Sequence, residues 1–230
     1  LTFGEGENQA KKVVSFAENQ ADYWLKTENG KQYLMAKEEV ILPCDEATLV
    51  GRHNYMNILA ATALAQAVGI NLEAIRTTLR QFKGLDHRFQ LAYQANGVRW
   101  INDSKATNVD SVVKALESFD QQVILLAGGH DKMTPLEDFM QLVKEHTKAV
   151  IFMGEAADRF EMAAKEAGVK PIYRALSMKE AVEQGYKLAE TGDIVLLSPA
   201  CSSFDWYSCF EERGDDFKRC VHMLQEGGHH

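Results

Sequence analysis

The chain has 230 residues, which allows one large domain or one domain together with a piece of another. Hydrophobic residues make up 46% and charged residues 25%, the balance of an ordinary globular protein that can bury a sizeable core. The formal net charge of −8 argues against a nucleic-acid-binding surface, which would need a basic patch, and no apolar run approaches the length of a membrane span.

The cysteines and histidines do not form a pattern that predicts a metal centre. No CxxC pair occurs, and no two histidines have the i, i+4 spacing that places two ligands on one face of a helix. Cys201 lies in a polar segment, but no histidine is near it in the sequence to activate it as a nucleophile. We therefore expect reduced thiols, a cytoplasmic protein and no metal ligands in this chain. The residues concerned are Cys44, Cys201, Cys209, Cys220, His53, His87 and His130.

The first 50 residues predict a β-rich region. Val13–Phe16 has the composition of a strand. The runs Tyr23–Lys26 and Gln32–Met35 flank Asn29–Gly30, and this dipeptide between two such runs is a strong signal for a β-hairpin. The charges of this region are scattered and indicate no chemistry.

Residues 54–68 predict a helix that is rich in Ala, Leu and Ile and ends before a glycine. The helix is apolar nearly all round and should therefore be buried. Asn54 and Asn57 lie three residues apart at its start and share one face. Capping of the helix by Asn54 would explain that residue but not Asn57. Asn71 is predicted to cap a second helix.

Lys83–Arg88 interrupts the helical pattern and predicts a linker between two domains, 1–84 and 85–226. Beyond the linker, strands alternate with helices, which predicts an α/β fold with a doubly wound, mostly parallel sheet. The region before the linker would be an incomplete piece of another domain. The predicted strands are 89–93, 98–101, 123–127, 149–153 and 194–197. The predicted helices are 156–167, 177–190 and 210–224, together with one that begins at residue 134.

Local signals mark where some of these helices begin. Thr134–Glu137 has the spacing of a capping box, with a proline in the first turn. Ser177–Glu180 has the same spacing. Gly214 is expected to weaken the first turns of the last helix. Gly227–His230 resembles the remnant of a purification tag and has no functional meaning.

Polar residues directly follow three of the predicted strands. Asn102–Lys105, Gly128–Lys132 and Ser198–Ser203 each begin where an apolar run ends. Because the carboxyl ends of parallel strands meet at one edge of a sheet, we expect two lysines and a pair of hydroxyls to surround one small acidic ligand there. The alternative is a set of ordinary polar loops, which any α/β fold contains.

The sequence does not contain a glycine-rich loop that would bind phosphates. Gly128–Gly129 lacks the third glycine of the dinucleotide fingerprint, and no GxxxxGK[ST] motif occurs. If the protein uses ATP, the loop that binds the triphosphate is expected to lie outside this chain.

Four motifs, in this order, resemble the Mur ligases of peptidoglycan synthesis. They are GRHNYMN at 51–57, GLDHRF at 84–89, NDSKATN at 102–108 and LSPACSSFD at 197–205. Each motif alone is of modest specificity, but together they are highly specific. Within the family they are most similar to the members that add D-glutamate to UDP-N-acetylmuramoyl-L-alanine.

The resemblance implies an enzyme of three domains: an N-terminal UDP-substrate domain, a central ATPase domain and a C-terminal Rossmann-like domain. Residues 1–84 would be the last part of the ATPase domain, and residues 85–226 would be the amino-acid-binding domain. The implied enzyme is cytoplasmic and monomeric and uses ATP and Mg²⁺. The phosphate loop and the magnesium ligands would lie outside this chain, so the chain alone should be inactive.

In the family reaction, ATP converts a carboxylate into an acyl phosphate, which the amine of the incoming amino acid attacks; cations stabilise the developing charge. Carried over motif by motif, the resemblance assigns the residues of this chain to three groups. Asn54 and Asn57 would line the adenine side of the ATP site, Arg88 would reach an ATP phosphate, and Asp103 would reach the ribose. Lys105 and Thr107 would face the acyl phosphate and the amino acid. Lys132, Ser203 and Phe210 would hold D-glutamate.

Other functions are kept as alternatives. One is a different amino-acid ligase of the superfamily, such as another Mur enzyme or a folylpolyglutamate synthetase. Another is a ligand-binding module without catalysis. A nicotinamide-dependent dehydrogenase is disfavoured because the glycine fingerprint is missing.

Overall fold

The computed structural model describes residues 13–47, 49, 52–82, 84–119 and 121–227, without the side chains of residues 53, 225 and 226. The chain forms two compact units, Leu1–Gly84 and Leu85–His230. The assignment of these units to parts of a ligase stays a prediction. Gly51 of the first motif, Lys83 of the predicted linker and the tag-like residues 228–230 lie outside the described residues.

The first unit contains a small sheet and two helices. Its described elements are β1 (Phe16–Ala17), β2 (Tyr23–Glu28), β3 (Lys31–Ala36), β4 (Glu39–Pro43), a 3₁₀ turn (Cys44–Glu46), α1 (Arg52–Ala67) and α2 (Leu72–Gln81). The strands are hydrogen-bonded in the order β1-β2-β3-β4. The predicted hairpin is confirmed, because β2 pairs antiparallel with β3 across the turn at Asn29–Gly30. The predicted strand at Val13–Phe16 is only partly right, since β1 begins at Phe16.

Helix α1 is the long apolar helix that the sequence predicts, but it begins earlier. It starts at Arg52, so the interpretation of Asn54 as its cap is wrong. Asn54 and Asn57 instead lie inside its first two turns. The core of this unit is formed by apolar side chains of the sheet and of α1, among them Leu34, Leu42 and Leu59, each 0% exposed.

The second unit consists of alternating strands and helices. Its described elements are β5 (Gln90–Ala95), β6 (Val98–Asn102), α3 (Val109–Leu116), β7 (Val123–Gly128), α4 (Glu137–His146), β8 (Thr147–Met153), α5 (Ala157–Ala167), β9 (Ile172–Ala175), α6 (Met178–Leu188), β10 (Ile194–Leu197) and α7 (Phe210–Gly227). The sheet has the order β5-β6-β10-β7-β8-β9. All its neighbouring strands are parallel except β5 and β6, which form an antiparallel hairpin. The predicted α/β fold with a mostly parallel sheet is confirmed.

Helices cover both faces of this sheet, as a doubly wound fold requires. Alternate residues of a strand point to opposite faces, so β7 contributes Leu125 to one core and Ile124 to the other. The first core contains residues of α3, α4 and α5, and the second contains residues of α6 and α7. Ile124 and Leu125 are both 0% exposed, which explains why the sequence of β7 is apolar without interruption.

Two of the predicted helix caps are confirmed. The Asn71 side chain accepts a hydrogen bond from Ala74 N at 2.8 Å and begins α2. The Ser177 hydroxyl accepts one from Glu180 N at 3.2 Å and begins α6. Each bond satisfies an amide that the helix itself leaves without a partner.

The predicted capping box at Thr134–Glu137 is wrong. Helix α4 begins at Glu137, and its N-cap position, Leu136, makes no side-chain capping bond. The carbonyl oxygen of Thr134 instead accepts a hydrogen bond from Arg159 Nη1 at 2.9 Å. This contact from α5 gives the segment before α4 a different path from that of a helix start.

No helix in the described part of the chain is long and apolar enough to cross a membrane.

Candidate functional site

The three predicted polar loops of the second unit lie together at the carboxyl edge of its sheet. The strands that precede them are neighbours, because β10 lies between β6 and β7. Backbone hydrogen bonds join the loops directly where the strands end. Asp103 N donates to Leu197 O at 2.8 Å, and Gly128 N donates to Pro199 O at 2.8 Å. The prediction that these loops converge is therefore confirmed.

Gly128 and Gly129 allow two of these loops to approach closely. Gly128 has a φ of 120° and Gly129 a φ of 140°, backbone conformations that residues with a side chain rarely adopt. A Cβ on Gly128 would lie 2.0 Å from Met153 O, and one on Gly129 would lie 2.4 Å from Ser202 O. Glycine is therefore needed at both positions, because the backbone of each packs directly against the backbone of a neighbouring segment.

Asp103 is buried at the end of β6 with both carboxylate oxygens engaged. It is 7% exposed. Its Oδ2 accepts a hydrogen bond from Ser198 Oγ at 2.9 Å, and its Oδ1 accepts one from Phe89 N at 3.2 Å. Burial raises the pKa of Asp103 to about 6, although these two bonds and the charge of Arg88 act in the opposite direction. Arg88 itself is exposed and belongs to the same neighbourhood.

Arg213, from α7, connects the loop after β6 to the loop after β10. Its side chain donates to Ser104 Oγ at 3.0 Å, to Ser104 O at 2.9 Å, to Cys201 O at 3.0 Å and to Ser202 O at 3.1 Å. The residue is only 2% exposed, and burial lowers its pKa to about 10. Its partners are hydroxyl and carbonyl oxygens, which fits a guanidinium that organises loops. Arg213 is not among the predicted site residues, and its only signal in the sequence is its place three residues after Phe210.

A second buried contact places α7 against the end of β6. Asn102 Nδ2 lies 3.2 Å from Gly214 O and 3.2 Å from His87 Nδ1. A Cβ on Gly214 would lie 2.2 Å from His87 Nδ1, so only glycine fits at this crossing. Gly214 lies inside α7, and this close packing gives a reason for a glycine at that position. That Gly214 weakens the first turns of the helix stays a prediction.

The Lys105 amine lies over the ring of Phe210. Its Nζ is 4.0 Å from the ring centroid, a cation–π distance, and the lysine is exposed. Ser104 Oγ donates to Phe210 O at 2.8 Å, which fixes the first residue of α7 beside this loop. Lys105 and Phe210, which the resemblance assigns to different groups, are thus in direct contact.

Lys132 and Thr107 are also brought together. Lys132 Nζ donates to the carbonyl oxygen of Thr107 at 2.8 Å, although the two residues follow different strands. Ser203 is 2% exposed, and its carbonyl oxygen accepts from Tyr207 N at 2.8 Å in the loop after β10. The edge of the sheet therefore presents two exposed ammonium groups and a threonine, with buried serines behind them.

The other predicted site residues belong to the first unit. Asn54 is half-buried and Asn57 is exposed, both on α1. Their role towards adenine stays a prediction. In the described part of the chain, His, Cys, Asp and Glu side chains do not cluster in a group of three or more that could hold a metal ion.

The family description "Mur ligase, glutamate ligase domain" matches residues 87–201, half of the chain. UDP-N-acetylmuramoylalanine–D-glutamate ligase of Haemophilus influenzae strain PittEE is 59% identical over 227 residues, which are 97% of this chain and 51% of that protein. The Bacillus subtilis strain 168 protein of the same name is 43% identical over 192 residues, 84% of this chain and 42% of that protein. The chain thus spans about half the length of these relatives.

Solved structures with low sequence identity share the fold. The UDP-N-acetylmuramate-alanine ligase of Thermotoga maritima superposes with a TM-score of 0.68 at 18% identity, covering 93% of this chain and 48% of that one. Folylpolyglutamate synthase of Mycobacterium tuberculosis, complexed with ADP, gives a TM-score of 0.61 at 14% identity, covering 84% of this chain and 46% of that one. The family match extends over the loops after β6 and β7 and reaches Cys201 in the loop after β10. The chain therefore belongs to the Mur ligase family.

Proposed function

We propose that this chain is the amino-acid-binding half of an ATP-dependent ligase that adds D-glutamate to UDP-N-acetylmuramoyl-L-alanine. The observation that carries the proposal is the meeting of Lys105, Thr107 and Lys132 at one edge of the sheet. Two cations beside a threonine suit a ligand with more than one carboxylate. Relatives named as D-glutamate ligases, at 43% to 59% identity, support the choice of amino acid.

The proposed reaction forms an amide bond between a carboxylate and the amine of D-glutamate. ATP phosphorylates the carboxylate to an acyl phosphate. Attack by the amine then forms the amide bond and releases phosphate. Lys105 and Thr107 face the activated carboxyl group, where the lysine charge stabilises the negative charge that develops as the amine attacks. Lys132 binds a carboxylate of D-glutamate and, with Ser203 and Phe210, orients its amine for attack.

The resemblance assigns nucleotide contacts to four other residues. Asp103 accepts from the ribose and Arg88 reaches a phosphate. Asn54 and Asn57 line the adenine. The described residues do not contain a group of three or more His, Cys, Asp and Glu side chains that could hold a metal ion. The Mg²⁺ of the proposed reaction would be bound by residues of the full-length enzyme outside this set.

The enzyme is proposed to be a monomer that acts in the cytoplasm. The free thiols support that compartment, because Cys44, Cys201 and Cys220 are buried without forming a disulfide. Burial raises the pKa of the Cys201 thiol to about 12, so it stays protonated and unreactive at neutral pH.

A substrate panel tests the proposal. The full-length ligase that contains this chain is assayed for phosphate release with ATP, UDP-N-acetylmuramoyl-L-alanine and one amino acid at a time: D-glutamate, L-glutamate, L-lysine or meso-diaminopimelate. Only D-glutamate should stimulate release. Stimulation by another member of the panel, with none by D-glutamate, would contradict the proposed substrate.

The isolated chain is the second arm of this test. Residues 1–230 alone should show no D-glutamate-dependent hydrolysis of ATP, because the phosphate loop and the metal ligands are expected elsewhere. Turnover by the purified chain at a rate near that of the full-length enzyme would contradict this expectation, because residues 1–230 would then hold a complete active site.

A further inference from the structure

Asp131 and Arg159 form a forked ion pair directly beside Lys132. Arg159 Nε lies 2.6 Å from Asp131 Oδ2, and Arg159 Nη2 lies 2.7 Å from Asp131 Oδ1. The Asp131 side chain is 10% exposed and the Arg159 side chain 25%, so water screens this pair less than a surface pair. Two parallel bonds between a planar guanidinium and a carboxylate fix orientation as well as distance.

The same two side chains also hold the backbone that follows Lys132. Asp131 Oδ1 accepts a hydrogen bond from Met133 N at 2.8 Å. Arg159 Nη1 donates to Thr134 O at 2.9 Å. Met133 has a φ of 56°, in the left-handed region that costs a side-chain-bearing residue about 1 kcal/mol or more. This conformation therefore needs support from its surroundings, and the ion pair supplies bonds on both sides of it.

The position of the lysine amine depends on this loop. The four-carbon stem of Lys132 is flexible, so the place where its amine can act follows from the backbone that carries it. Its Nζ reaches across to Thr107 O at 2.8 Å, which bridges the loops after β7 and β6. Arg159 itself lies on α5 and is not part of either loop.

The ion pair also removes a charge conflict. Asp131 is adjacent to Lys132, so an unpaired carboxylate there would attract the ammonium group and repel an anionic substrate. The hydrogen bond with Arg159 is the main cause that lowers the pKa of Asp131, and the backbone hydrogen bond from Met133 lowers it further. His130 lies on the other side of Asp131 and pairs with Glu155 at 2.7 Å. Arg159 is thus the main counter-charge of Asp131.

We propose that Arg159 is a positioning residue for the amino-acid substrate, which holds the loop of residues 130–134 through Asp131 and leaves Lys132 free to bind a substrate carboxylate. The identity of that substrate as D-glutamate rests on the function proposed above. Arg159 does not need to touch the substrate for this role.

Steady-state kinetics of the full-length ligase test the inference with a matched control. Arg159→Met removes the guanidinium and keeps an apolar stem. Arg174→Met is the control. Arg174 also forms ion pairs with side chains of α5, Asp158 and Glu161, but it does not contact the loop of residues 130–134 in these pairs. Arg159→Met should raise the KM for D-glutamate about 10-fold or more, with the KM for ATP changed less than about 2-fold. Arg174→Met should change neither.

Arg159→Lys adds a test of the fork. It keeps the charge but cannot form two parallel bonds, so its KM for D-glutamate should lie between those of the wild type and Arg159→Met. An unchanged KM for D-glutamate in Arg159→Met, or equal rises in the KM for D-glutamate and for ATP, would overturn the inference.

Hydrogen exchange in the ligand-free enzyme separates this inference from the proposed function. The peptide covering residues 130–134 should exchange faster in Arg159→Met and in Asp131→Asn than in Arg174→Met, because both variants break the forked pair that orients Asp131 towards Met133 N. If the substrate panel selects another amino acid, the proposed substrate is wrong, while faster exchange together with a raised KM for that amino acid still supports the positioning role. Unchanged exchange in both Arg159→Met and Asp131→Asn contradicts it for any substrate.

Discussion

The carboxyl edge of the sheet has an inner and an outer layer, which differ in exposure and in their partners. The inner layer consists of Asp103, Ser104 and Arg213, which are buried. Asp103 accepts a hydrogen bond from Ser198 of the loop after β10, and Ser104 accepts one from Arg213. The outer layer consists of Lys105 and Lys132, which are exposed and point amines at an aromatic ring and a carbonyl oxygen. The difference indicates that Ser104 and Arg213 of the inner layer determine the shape of the site, whereas the outer layer presents its positive charge to a ligand.

Arg213→Met should produce the largest effect, on stability. It leaves Ser104 Oγ and the carbonyl oxygens of Cys201 and Ser202 without their donor in a buried place, at a cost of about 2–4 kcal/mol. Urea unfolding of the full-length protein measures it. Lys179→Met, on the surface of α6, should cost less than about 0.5 kcal/mol. Equal stability of the two variants would show that the inner layer does not hold the loops.

Asp103→Asn should produce a comparable effect that depends on pH. The pKa of Asp103 is raised from 3.8 to about 6 in the folded state, so the fold binds its proton more tightly than the unfolded chain does. Its contribution to stability is therefore complete below about pH 4 and is lost as the pH rises through 6. The substituted amide does not titrate, so the stability of the variant relative to the wild type should improve by roughly 2–3 kcal/mol between pH 4 and pH 7. Urea unfolding at several pH values measures this difference, and a constant difference would contradict the prediction.

Lys132→Ala should weaken substrate binding with little effect on stability. Charge-assisted hydrogen bonds contribute about 1.5–3 kcal/mol, so the KM for D-glutamate should rise roughly 10- to 100-fold. Ser203→Ala should act on the same parameter. Thermal unfolding should show no large change for Lys132→Ala, since its side chain is exposed. A loss of stability as large as that of Arg213→Met would remove the distinction between the layers.

Phe210→Leu should have the smallest effect. It removes the ring under Lys105 but keeps the backbone of α7, and exposed cation–π contacts contribute about 0.5–1 kcal/mol. The expected result is a roughly 2- to 5-fold loss in kcat/KM, which Phe210→Tyr should largely restore. A loss of equal size in both variants would indicate that the cation–π contact is not the cause.

The outer layer could be predicted from the sequence because its residues directly follow apolar strands. Lys105 and Lys132 stand just after such runs, and parallel strands bring their carboxyl ends together. Arg213 could not be predicted in the same way. It contacts Ser104 across 109 positions of the chain, and nothing in its local pattern distinguishes a buried arginine from an exposed one.

Some elements of the fold could not be predicted from the local sequence either. Helix α3, which has 8 residues, was not predicted. Strand β9 was not predicted either, since only one of its 4 residues is buried and it lacks a continuous apolar run. The position of β10 between β6 and β7 depends on pairing over long distances, which no segment shows by itself. The capping signal at Thr134 does not start a helix, because α4 begins only at Glu137.

The most direct test of the proposed site compares Asp103→Ala with Lys132→Ala in the full-length ligase, with the KM for ATP and the KM for D-glutamate measured for each. We expect Lys132→Ala mainly to raise the KM for D-glutamate and Asp103→Ala mainly to raise the KM for ATP. A Lys132→Ala variant in which only the ATP parameters change would contradict the proposed division between the amino-acid side and the nucleotide side of the site.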